Sequence, residues 1–152
     1  MFLIGHEFGH SMKAGNPALY EELSNFVLSL AGDRTAHNAM LAEKQYAPEK
    51  WDDEFVNDFI GREFNDKGFW QAMADRDAGF FRRIAAAAMQ YLNGLAKTVA
   101  GFPRDVTPYF ADILSARLGS IDSRRASNLS DKKAEQPPTP LTFIKSTSKK
   151  NN

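Results

Sequence analysis

From Phe2 to Leu118 the apolar residues recur at three- and four-residue intervals, the spacing of a helix's buried face, and few stretches alternate with period two. Leu19, Leu23, Phe26, Val27 and Leu30 form one such stripe. It lies between Pro17, a residue suited to the first position of a helix, and Gly32. Upstream, a helix is predicted from about Phe2 to Lys13, ending at Gly15-Asn16-Pro17, where glycine and proline stop it. A short helix is expected over Ala36 to Gln45. Trp51, Phe55, Val56, Phe59 and Ile60 follow Pro48 with helical spacing and predict a buried amphipathic helix. Three more are predicted, from Asp66 to Ala74, from Asp77 to about Val99 and from about Pro108 to Leu118. The second of these contains Ala85-Ala86-Ala87-Ala88, which favours helix and lets neighbours approach closely. There is no internal repeat, and the expected class is mainly α.

The texture changes at Arg124. Up to Ser123 the chain has 12 Lys and Arg against 17 Asp and Glu; from Arg124 onward it has 7 against 2. A net charge of zero therefore conceals an acidic body and a basic end. Gln136-Pro137-Pro138-Thr139-Pro140 and Ser146-Thr147-Ser148-Lys149-Lys150 bury too little apolar surface to offset ordering entropy. Residues 1–123 are thus expected to form one helical domain and 124–152 a disordered tail. A basic tail can touch nucleic acid by counterion release, although a solubilising terminus is the plainer reading. Leu141, Phe143 and Ile144 form a small apolar island that could dock on the body.

Composition narrows the chemistry. With no cysteine, disulfides and thiolate ligands are excluded, leaving histidine and carboxylate for any metal. No apolar run approaches the roughly 20 residues of a membrane span. The N-terminus lacks a basic n-region, and Met1-Phe2-Leu3-Ile4 is too short for the apolar core of a signal peptide. A cytoplasmic location is expected.

His6-Glu7-Phe8-Gly9-His10 fits the pattern H-E-x-x-H. Residues four apart share a helix face, so both imidazoles can reach one metal ion. Glu7 lies about 100° around the helix, where a carboxylate can take a proton from a metal-activated water. Five letters with three fixed positions also occur by accident, so the pattern turns on a third ligand. The metzincin pattern is excluded, because its glycine and third histidine fall on Lys13 and Asn16. His37 lies in the polar stretch Arg34-Thr35-Ala36-His37-Asn38 and reads as an exposed loop histidine. Glu21 and Glu22 read as first-turn acids of the second helix. Glu54 is the stronger candidate. It stands four residues before Asp58 on a helix with an apolar stripe, so the two carboxylates share a face. In the arrangement E-x-x-x-D, the glutamate binds the metal and the aspartate accepts a ligand histidine's free ring N–H. The competing reading is an acidic solvated face, since Asp52 and Asp53 stand beside them.

HEFGH followed by E-x-x-x-D resembles the gluzincin metallopeptidases. The longer text is similar to zincin-like peptidase domains embedded in large polyvalent proteins of phages and conjugative elements. The residues that carry this are Gly5 to His10, Asn16-Pro17-Ala18-Leu19-Tyr20-Glu21-Glu22-Leu23, Phe26-Val27-Leu28, Asp53 to Gly61, and Gly68-Phe69-Trp70. They cover roughly the first half of the chain. The resemblance implies that His6, His10 and Glu54 bind Zn2+, that Glu7 is the general base and that Asp58 supports a ligand from outside. It implies a peptide or protein substrate.

The chain departs from the pattern in two respects. Zincins place a β-sheet before the active-site helix, and its edge strand pairs with the extended substrate. Here only five residues precede His6. The expectation is a helical zincin-like subdomain lacking that sheet, the C-terminal part of a larger domain, completed by an upstream polypeptide and a poor peptidase alone. No tyrosine or histidine can be assigned from sequence as the oxyanion donor. The alternative is a non-catalytic helical fragment of a phage or mobile-element protein that retains the zinc motif.

Overall fold

The computed structural model describes residues 1–135. Among them the chain is helical without a strand. The elements are α1 (Phe2–Gly15), α2 (Pro17–Leu30), α3 (Thr35–Glu43), α4 (Trp51–Glu63), α5 (Lys67–Arg76), α6 (Ala78–Thr98) and α7 (Val106–Glu135), with a 3₁₀ turn at Pro48–Lys50 leading into α4. No helix among the described residues is long and apolar enough to cross a membrane.

Short polar side chains start three of these helices. Asn16 accepts from the Leu19 N–H (3.2 Å), Asp66 from Gly68 (2.7 Å) and Asp77 from Phe80 (2.9 Å). Each satisfies an N–H that has no partner within its own helix, an interaction typically contributing about 1 kcal/mol. The core forms around Phe64, Trp70, Phe81 and Phe110, all fully buried. Phe64 packs on Phe110 at 4.6 Å, on Trp70 at 5.6 Å and on Phe8 at 5.7 Å between ring centroids. The Trp70 indole N–H donates to the Phe64 carbonyl at 2.9 Å, satisfying an orphan acceptor at the C-terminal end of α4. One aromatic cluster thus ties α1, α5 and α7 to the end of α4.

Helices α1 and α4 lie against each other in opposite directions, with Phe2 beside Gly61, Gly9 beside Asn57 and Lys13 paired with Asp53. Glycine sets how close they come. A Cβ on Gly5 would lie 2.8 Å from the Ile60 carbonyl oxygen and 2.9 Å from the Gly61 Cα. A Cβ on Gly61 would meet the Phe2 carbonyl oxygen at 2.8 Å. These neighbours are backbone, so a methyl group can be admitted only by moving the helices apart. Gly5→Ala is therefore expected to destabilise the fold by about 1–2 kcal/mol net, an overpacking cost of about 2–3 kcal/mol less the helix propensity that alanine returns. Gly94, in α6, has open space around it, and Gly94→Ala should stabilise by about 0.5–1 kcal/mol. Denaturant unfolding of the two variants checks both signs.

The last helix differs from its expected extent. It continues past Leu118 and past the Ser123–Arg124 boundary as far as Glu135, so the segment Arg124–Glu135 is helical rather than part of a disordered tail. Ile121 is buried, and Arg124 donates to Asp75 at 2.7 Å, which holds the start of this extension to α5. The proline-rich segment, Leu141, Phe143 and Ile144 lie outside the described residues.

Candidate metal centre

The close approach of α1 to α4 determines what the polar residues beside the glycines meet. His6 and His10 follow Gly5 and Gly9 by one position and so face the α4 row that carries Glu54, Asn57 and Asp58. The two Nε2 atoms lie 3.0 Å apart. Glu54 places Oε1 3.7 Å from His10 Nε2 and Oε2 4.0 Å from His6 Nε2. One donor atom from each of these residues falls within 4.8 Å of the others, which makes them a group able to hold a metal ion. Tetrahedral ligands about 2.0–2.2 Å from zinc stand about 3.3–3.6 Å from one another. The spacing here departs from that by a few tenths of an ångström in either direction, and two imidazoles with a carboxylate suit zinc. Three protein donors leave a fourth position, and it has solvent beside it, because the His10 side chain is 41% exposed.

The other ring nitrogens lie beside two further α4 residues. His6 Nδ1 is 2.9 Å from Asp58 Oδ1, although the ring is not turned to align its N–H with that oxygen. A proton on this nitrogen leaves the Nε2 lone pair free to bind a metal. His10 Nδ1 lies 3.4 Å from Asn57 Nδ2. Asn57 is fully buried, and its Oδ1 accepts from the Tyr20 hydroxyl at 3.2 Å. Burial, with the charge of Asp53, pushes the Tyr20 phenol well above its ordinary range, so it remains a donor. If the Asn57 amide turns over, its oxygen accepts a hydrogen bond from His10 Nδ1–H, His10 Nε2 becomes a metal donor, and the Tyr20 hydroxyl oxygen accepts from the Asn57 amide in place of donating to it.

Glu7 is exposed and stands outside the three-donor group. It projects to the α6 side of α1, where its charge adds to burial in raising the Tyr91 phenol. Glu22 is not near the cluster: it accepts from both Arg83 guanidinium nitrogens at 2.8 and 2.9 Å, on the α2–α6 face, which lowers its pKa. Glu21 is exposed.

His37 corrects an expectation. It sits on α3 rather than in a loop, its side chain is only 11% exposed, and its Nε2 lies 2.8 Å from Asp58 Oδ2. The polar text around it hid this placement, because the partner is 21 residues away on another helix. Asn57 also went unremarked in the sequence. Its position three before Ile60 and four before Gly61 was the available signal, since that spacing places it on the buried face.

Compared with protein-family models, with curated proteins and with solved structures, the chain matches none.

Proposed function

We propose that this protein is a zinc-dependent metallopeptidase of the zincin type. The observation that carries this is the convergence of His6, His10 and Glu54, from two antiparallel helices, into one group of three donors. His6 Nε2, His10 Nε2 and a Glu54 carboxylate oxygen would hold the ion. When bound, zinc lowers the pKa of water toward neutrality and polarises a carbonyl. Glu7 supplies the proton transfers: its carboxylate takes a proton from the attacking water and returns it to the departing amine nitrogen. Its carboxylate is exposed on the α6 side of α1 and is not a member of the donor group, so in this role it has to turn toward the fourth position to come within hydrogen-bond reach of the water. Asp58 beside His6 Nδ1, and Asn57 with its amide turned over beside His10 Nδ1, would keep the ring protons on Nδ1 and leave both Nε2 atoms for the ion.

The test is hydrolysis of an unstructured protein such as casein by the full chain supplied with zinc, at a slow rate because no strand among the described residues can pair with the substrate. Cleavage should be lost on adding a chelator and restored by excess zinc. Zinc binding without any cleavage would favour the non-catalytic alternative, a helical module of a phage or mobile-element protein that keeps the motif.

A further inference from the structure

Asp58 has two carboxylate oxygens, and each faces a different imidazole. Oδ1 lies 2.9 Å from His6 Nδ1, and Oδ2 lies 2.8 Å from His37 Nε2. We infer that His37 is a positioning residue for the metal centre, acting through Asp58; the inference rests on His6 being a metal ligand. The His37 Nδ1 is buried without a partner, so the ring proton belongs on Nε2, where it can be donated to Asp58. The ring itself is fixed. It stands edge-on to Phe55 of α4, with centroids 5.0 Å apart and planes at 89°.

A carboxylate without a partner can rotate about its terminal bond, which is broad and soft. With Oδ2 taken by His37, the Asp58 carboxylate is held in one plane, and its Oδ1 stays beside His6 Nδ1 at 2.9 Å. His37 thus carries positional information from α3 to a ligand on α1 without touching the metal. Outer partners of ligand histidines commonly change metal affinity by about 10–100-fold, and a residue one step further out should act at the lower end, about 10-fold.

The experiment is a zinc titration of the full chain against a chromophoric chelator, with the melting temperature of the metal-free protein followed in parallel. H37F keeps a ring against Phe55 but removes the donor, and should weaken zinc about 10-fold. H37M removes the donor without a second ring and should do the same, so the result does not depend on one variant folding well. H37Q retains a donor and should recover affinity to within about twofold of the unmodified protein. In a D58A background H37F should have no further effect, because its route to the metal is gone. A merely structural role predicts loss by the same factor in both backgrounds, and that result overturns the inference. So does unaltered affinity in H37F and H37M while the unmodified protein binds zinc. An unmodified protein that binds no zinc overturns the metal assignment itself, and this inference with it.

Discussion

Glu7→Gln is expected to leave zinc binding intact and to lower peptide hydrolysis by about 10²–10⁴-fold. The substitution keeps the shape of the side chain and removes its capacity to accept a proton. Glu7 is exposed and outside the donor group, so little of the fold or of the metal cage depends on its charge. What the proposed mechanism would lose is proton transfer from water to the leaving amine. The measurement is kcat on casein together with zinc content, both on the same preparation. A variant that retains the wild-type rate shows that another group is the base. One that loses its zinc shows that Glu7 is a ligand, and the division of roles along the H-E-x-x-H turn would have to be redrawn.

The second large effect is at His10. Zinc sites with four protein ligands bind with about 10–16 kcal/mol at neutral pH, or roughly 2.5–4 kcal/mol for each ligand. His10→Ala leaves His6 and Glu54, whose nearest donor atoms are 4.0 Å apart. Zinc affinity should fall by about 10²–10³-fold, read by competition with a chelator. The fold should tolerate the change, because His10 is partly exposed and its ring holds no part of the aromatic core. Unchanged affinity would mean that the ion is held elsewhere. Glu54→Ala is expected to behave like His10→Ala, whereas Asp58→Ala should reduce affinity less, because it acts only on the orientation of His6.

Much of the fold was legible because its signals are local. Pro17, Asn16, Asp66 and Asp77 mark helix starts by chemistry that operates over two or three residues, and each helix begins where they stand. Glu54 and Asp58 were legible for a similar reason: four-residue spacing on one helix fixes a shared face whatever surrounds it. What could not be read depends on contacts between helices. The Gly5–Gly61 approach, which sets His6 and His10 against α4, is a property of two segments far apart in sequence. His37 meets Asp58 only after α3 has packed, and a nine-residue helix with little amphipathic pattern gives no hint of which way it turns. The extent of α7 was misread for a different reason. Arg124–Glu135 is too polar to suggest a packed element, yet it contains no glycine or proline, and the first proline after Pro108 is Pro137. Helix that has begun on a buried stripe continues until something stops it.

The most direct measurement is the metal content of the full chain after equilibration with zinc and removal of the excess. The arrangement of His6, His10 and Glu54 predicts about one zinc per chain. Elemental analysis that finds no bound zinc in the folded protein would contradict it, and the convergence of two histidines and a glutamate would then be a packing arrangement alone.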